Sequence, residues 1–290
     1  MASEPSSARL LRLGTYASVA TAAVLIAAKL FAWLVTGSMS VLASLVDSLM
    51  DVGASLVNLV AVRYSLMPAD AEHRFGHGKA EALAGLAQAT FIAGSAVFLI
   101  LEAVDRLRHP RGLEQIGLGV AVMVFSIVVT LGLLVVQRRV IARTGSTAIR
   151  ADALHYATDV ATGASVILAL VLTRAFGWTG VDAWFAIAIS LYILASAWRI
   201  GRDAFHVLLD RELPAGERQR IKELAGREQQ VKGVHGLRTR QSGRQKIIQL
   251  HLELDASLSL SEAHRIADAV EARILDAFPD ADVIIHQDPV

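Results

Sequence analysis

Residues 81–102 read EALAGLAQATFIAGSAVFLILE, and between the two glutamates no side chain is charged. That gap reaches the ~20 residues an α-helix needs to cross a ~30 Å hydrocarbon core. A second gap of the same kind lies between Glu114 and Arg138. Shorter ones run from Arg12 to Lys29, Lys29 to Asp47, Asp159 to Arg174 and Asp182 to Arg199. Charge spaced in this way belongs to an integral membrane protein. The composition agrees: 54% of the 290 residues are hydrophobic and only 19% charged, less charge than a soluble chain of this size normally carries.

Several classes fall away at once. The opening MASEPSSARLLRLG does not read as a cleavable signal peptide, because the apolar run after Arg12 is long and no small-residue cleavage pattern precedes a soluble chain. The chain has no cysteine, so no disulfide forms, and any metal must be held by His, Asp, Glu or backbone oxygen. A net charge of +1, with the basic residues mainly at membrane edges, gives no reason to expect nucleic acid as a partner.

Working outward from the first gap, the chain reads as six membrane helices, at roughly 12–36, 41–64, 80–107, 116–139, 147–174 and 180–201. They are separated by turn-rich stretches such as TGSMS (36–40) and MPADAEHRFGHG (67–78). After Arg202 charge returns to soluble-protein frequency, which divides the chain into a membrane domain, 1–202, and a tail, 203–290. The tail reads as α-β-β-α-β, an α+β domain with its helices on one face of a small sheet. In its second strand Ile248, Leu250, Leu252 and Leu254 alternate with polar residues. Ser259 and Glu262 form a capping-box pattern ahead of its second helix. Lys and Arg near the helix ends favour both termini, and therefore the tail, on the cytoplasmic side. Eleven (Arg9, Arg12, Arg63, Arg74, Lys79, Arg138, Arg139, Arg143, Arg150, Arg199 and Arg202) would lie there, against Arg106, Arg108, Arg111 and Arg174 outside, although the basic 106–111 loop runs against the rule.

Two of the membrane helices carry residues that a bilayer disfavours. An Asp at the centre of a spanning helix costs ~2.5–3.5 kcal/mol on the insertion scale. LVDSLMD (45–51) nevertheless places Asp47 and Asp51 one turn apart on a shared face, and ADALHYATDV repeats the i, i+4 device with His155 and Asp159. A single buried Asp could pair with Lys29, the one basic residue inside the first helix, but one lysine cannot offset three carboxylates. Brought together, the two pairs offer three carboxylates and one imidazole, a set that suits a tetrahedral divalent cation.

SLVDSLMD, HRFGHGKAE, DALHYATD and VIIHQDP, in this order, resemble the cation diffusion facilitators, and the likeness covers essentially the whole chain. The resemblance implies six membrane helices, a cytoplasmic metallochaperone-like tail, a homodimer in a bacterial inner membrane, and Zn²⁺ export driven by inward proton flow. Cd²⁺ and Fe²⁺ are further cargoes to expect. It also gives meaning to other clusters. Asp70, His73 and His77 have spacings that suit one metal or a plain solvated loop, and the resemblance favours a second zinc site. His235, His251, His264, His286 and Asp288 match a two-zinc cluster near the dimer contact of the tail domains, and Lys79 and Asp210 match a charge interlock where membrane and tail domains meet. His109 and His206 fit no cluster and are assigned to structure.

Three rival readings fit the sequence less well. An intramembrane hydrolase would want H-E-x-x-H, which is absent, or carboxylates facing each other across two helices. A passive channel would want weaker, multi-site binding than a four-ligand cage. An exporter of Mn²⁺ or Fe²⁺ differs only in cargo, and His155 favours zinc over manganese because imidazole suits zinc.

Overall fold

The structure, a computed structural model, describes residues 6–37, 39–108, 118–176, 181–243 and 245–290. Six long helices come first: α1 (Ser6–Thr36), α2 (Met39–Ser65), α3 (Lys79–Arg108), α4 (Leu118–Thr144), α5 (Thr147–Phe176) and α6 (Val181–Leu208). The shortest has 27 residues, which at ~1.5 Å per residue exceeds a bilayer's hydrocarbon thickness. Among the described residues, α1, α3, α4 and α6 contain spans long and apolar enough to cross a membrane. The other two, α2 and α5, are the pair that carry ionisable residues along their middle. Large apolar side chains such as Phe31, Leu34, Phe98, Tyr192 and Trp198 point outward, a pattern that suits lipid rather than water.

The helices run past the ends expected from charge spacing. Helix α1 begins at Ser6, α4 continues to Thr144 and α6 to Leu208. A Lys or Arg therefore marks a membrane edge without ending a helix. Helix α1 packs on α2 and α4, α4 on α5, and α2 on α5. Ile92 and Ala96 of α3 lie against Ile193 and Ala197 of α6. The α4–α5 connection is tight: Gly145, at φ 66°, donates its N–H to the Ile141 carbonyl (2.8 Å) and closes α4. Ser146 Oγ then accepts the Ile149 N–H (3.2 Å) and opens α5.

The tail comprises α7 (Ala215–Ala225), β1 (Gly233–Ser242), β2 (Gln245–Leu254), α8 (Leu260–Ala277) and β3 (Ala281–Pro289). The strand order is β1-β2-β3, with β1 antiparallel and β3 parallel to the central β2. The alternation along β2 buries Ile248, Leu250, Leu252 and Leu254 against Ile221 of α7 and Ile266, Val270 and Ile274 of α8. Both helices thus occupy one face of the sheet. The Ser259–Glu262 capping box is present and starts α8.

The chain divides into two compact units. One holds the helices up to Leu66 and from Ala80 to Phe205; the other holds residues 67–79 together with everything from His206 on. The segment between α2 and α3 is therefore structurally part of the tail unit. Within that unit Lys79 Nζ lies 2.8 Å from Asp210 Oδ1, Arg240 Nη1 lies 3.3 Å from Asp210 Oδ2, and the Arg240 guanidinium sits 4.6 Å from the centre of the Phe75 ring. Partial burial pushes the Asp210 carboxyl up, but the Lys79 hydrogen bond and charge, with Arg240, outweigh it and hold the group below its ordinary range.

Candidate metal centre

Helices α2 and α5 bring the intramembrane residues together. His155 Nε2 is 2.8 Å from Asp51 Oδ1 and 4.0 Å from Asp159 Oδ2. Ligand atoms of the three residues all lie within 4.8 Å of one another. Asp47 sits one turn before Asp51 on α2, and its side chain falls outside the described residues. Next to His155, the Tyr156 hydroxyl lies 3.0 Å from Ser55 Oγ, itself one turn beyond Asp51, and 3.4 Å from the Ser18 carbonyl of α1. Tyr156 is fully buried, so it pins α5 against α2 at the level of the cluster. Lys29 donates to Ser48 Oγ (2.6 Å) and to the Ser44 carbonyl (3.1 Å) on α2.

The segment before α3 forms a second cluster. Asp70 Oδ1 accepts the backbone N–H groups of His73 (2.6 Å) and Glu72 (2.9 Å), an Asx turn that fixes the carboxylate. His73 Nδ1 stands 3.4 Å from Asp70 Oδ1 and His77 Nε2 3.3 Å from Asp70 Oδ2. The His73 N–H bond is the main reason the Asp70 carboxyl stays below its usual range, with Glu72 and the two imidazoles adding to it.

A third cluster lies on the face of the tail sheet opposite the helices. The register pairs His235 with His251 and His251 with His286, so one imidazole from each strand stands in a row. Asp288, two residues past His286 on the same face, reaches all three. It lies 2.9 Å from His251 Nδ1, 3.0 Å from His235 Nε2 and 3.2 Å from His286 Nε2. The His251 contact chiefly holds the Asp288 carboxyl below its ordinary range. A bulge in β1 between His235 and Arg238 makes room for the row. It contains Gly236 at φ 61°, where an added Cβ would meet the His251 ring at 2.8 Å.

His264 is placed elsewhere. It is exposed on α8, which packs on the opposite face of the sheet, and its Nε2 lies 3.7 Å from Asp268 Oδ2. His109 lies outside the described residues, and His206 lies in the last turn of α6, where its carbonyl accepts the Arg211 N–H (3.0 Å).

Sequence reasoning passed over two carboxylates. Glu253 is two residues beyond His251, opposite Asp288 in the register and 3.6 Å from His235 Nε2; the period-two rule that assigned His251 its face would have found it. Asp152, three residues before His155, is fully buried among side chains of α1, α3 and α4.

A membrane helix bundle with an Asp/His cluster between two of its helices, followed by a tail with metal-ligating groups on one sheet face, defines a transporter of divalent cations. The chain belongs to the cation efflux family, the cation diffusion facilitators. The family's transmembrane-domain model matches residues 15–209 and its cytoplasmic-domain model residues 213–290. The cation-efflux pump FieF of Serratia proteamaculans is 52% identical over 286 residues, covering 99% of this chain and 95% of that protein. FieF of Shewanella oneidensis is 52% identical over 279 residues, covering 96% and 94%. Among solved structures, the Zn form of the putative zinc transporter CzrB is 32% identical over 28% of this chain and 92% of its own, with a TM-score of 0.27.

Proposed function

We propose that this protein exports Zn²⁺ from the cytoplasm in exchange for protons, through a tetrahedral site made of Asp47, Asp51, His155 and Asp159. The observation that carries this reading is the approach of His155 Nε2 to Asp51 (2.8 Å) and Asp159 (4.0 Å), midway along helices where such groups are costly. Two carboxylates and an imidazole in one place attract protons and metal alike; either can fill the site, and each excludes the other. Cd²⁺ and Fe²⁺ fit the same ligands less selectively. The relatives' description as cation-efflux pumps supports the outward direction and a transporter rather than an enzyme.

In this reading residues 1–202 form the transport domain of a homodimer in a bacterial inner membrane, both termini are cytoplasmic, and 203–290 form a cytoplasmic metal-binding domain. The Asp70/His73/His77 cluster is a second zinc site. His235, His251, His286 and Asp288, with Glu253 beside them, hold structural zinc that steadies the dimer. Flux into liposomes containing the purified protein, compared across Zn²⁺, Cd²⁺, Fe²⁺ and Mn²⁺, tests the whole proposal. Zn²⁺ should move fastest and a proton gradient opposed to the metal should accelerate it several-fold. Flux indifferent to that gradient would mark a passive channel instead.

A second expectation concerns the tail. Replacing His235, His251 and Asp288 together lowers the zinc bound per protomer and loosens the dimer, while some transport remains because these groups lie outside the membrane path. Because zinc binds neutral imidazole and ionised carboxylate, protons compete with it for the tail cluster. The zinc bound per protomer should fall as the solution is acidified. Native mass measurement reads both effects, and an unchanged metal count in the triple variant would make the row ordinary surface histidine.

A further inference from the structure

Asp152 stands apart from every cluster so far described. It is 1% exposed and takes hydrogen bonds from three helices: Ser18 Oγ of α1 at 2.5 Å and Gln137 Nε2 of α4 at 2.8 Å, both on Oδ2, and Gln88 Nε2 of α3 at 3.1 Å on Oδ1. Gln137 Nε2 also donates to Ser18 Oγ (3.0 Å). All three partners are buried and all are uncharged.

The charged and titratable groups around this node lie further off. Asp159 and His155 follow Asp152 on α5, with Tyr156 between them, and Asp51 faces them from α2. Arg150 is engaged with Asp203 at 3.0 Å. Arg12 of α1 and Arg138 and Arg139 of α4 are exposed, and Glu81 of α3 is buried two turns before Gln88. Among the described residues, no cation is within ion-pair distance of the Asp152 carboxyl.

The hydrogen-bond inventory of the node is incomplete in one place. Gln137 Oε1 is fully buried and has no partner, in a setting where such an acceptor is rarely left empty. As an ionised group Asp152 can only accept, so it cannot fill that need. As a neutral acid it has one O–H to give. If the Gln137 amide turns over, its Oε1 comes to the position now held by Nε2, beside Asp152 Oδ2, and accepts that O–H. Ser18 Oγ then donates to the Gly14 carbonyl, already 3.1 Å away. The network thus has one arrangement for each protonation state: the ionised one leaves Gln137 Oε1 without a partner, and in the protonated one Oε1 takes the Asp152 O–H while Nε2 gives up its bonds to Asp152 and Ser18.

We propose that Asp152 is a proton-binding site of the membrane unit, separate from the Asp51/His155/Asp159 cluster, with Gln137 as its amide switch. The proton goes on Asp152 Oδ2 and is shared with Gln137 Oε1; no other bond is made or broken. Since Ser18, Gln88 and Gln137 come from three helices, proton uptake resets the tie that holds α1, α3, α4 and α5 together. The consequence for transport rests on the proton-coupled reading above, but the site itself does not.

Infrared difference spectra of the metal-free purified protein, recorded between acid and neutral pH, separate the two. The wild type should show the carbonyl-stretch band of a buried carboxylic acid growing in acid, and Asp152→Asn should lack it. Gln137→Leu, which leaves the carboxyl in place, should displace the band by removing its acceptor. Spectra that do not differ between wild type and Asp152→Asn overturn the proposal. So does a band that Gln137→Leu leaves unmoved, a test that remains should Asp152→Asn fail to assemble. In liposomes Asp152→Asn, which keeps the shape and most of the hydrogen bonds, should flatten the dependence of metal flux on pH. A purely structural tie would be rescued by Asn with its pH profile unchanged, and that result also overturns the proposal. The band present with flux indifferent to pH would sink the antiport reading and leave the Asp152 site standing.

Discussion

Asp51→Ala or Asp159→Ala should reduce metal flux in liposomes by more than about a hundredfold while the protein remains folded. Each substitution removes one ligand of a small set. Even groups that merely orient a ligand cost about 10–100-fold in metal affinity when removed, so loss of a ligand itself must cost at least that. The fold should tolerate the change, since each Asp opposes membrane insertion by ~2.5–3.5 kcal/mol at mid-helix and alanine does not. Asp51 is the sharper test of the two, because its Oδ1 is the atom closest to His155 Nε2. Circular dichroism and gel filtration establish that the variants are intact. Flux near the wild-type rate in both would remove these residues from the transport site.

The second large effect is on pH. Zn²⁺ requires neutral imidazole and ionised carboxylates, so binding at the cluster must displace whatever protons the empty site has taken up. By linkage, each proton displaced lowers metal affinity about tenfold for every pH unit below the range where the group titrates in the metal-free protein. For His155 the ordinary reference is about 6.5, and the sign is fixed: affinity falls as pH falls. The same competition at a site exposed alternately to the two sides is enough to couple outward metal to inward protons. His155→Asp should weaken the preference for zinc over manganese and shift the pH profile, because the ligand set becomes all oxygen. Calorimetric titration would show it, and zinc affinity that stays flat between about pH 5.5 and 7.5 would refute the mechanism.

How much of this could be read from residues alone depended on the range of the interactions. The i, i+4 pairs on α2 and α5, the alternation that buries one face of β2 and the Ser259–Glu262 box are local, and local spacing exposes them. The meeting of Asp51 with His155 was also within reach, since two isolated costly pairs in a membrane make sense only together. The histidine row was half legible: alternation assigns His251 its face, but the pairing of His235 with His251 depends on the bulge at Gly236, which no local pattern announces. Asp152 was harder still. Its partners are a serine and two glutamines on three other helices, and none carries a charge to draw attention. Helix ends were overrun for a related reason, because an arginine at the water boundary is a good helix former.

The packing of residues 67–79 with the tail has a bearing on how these genes can be recombined. In three dimensions the tail unit is one body; in sequence it is two stretches, and the smaller is encoded between α2 and α3. A chimera that exchanges only the stretch from residue 206 onward between two relatives would set a foreign Asp210 and Arg240 against the resident Lys79 and Phe75. A tail transplanted without its distant partner therefore carries half of a matched surface.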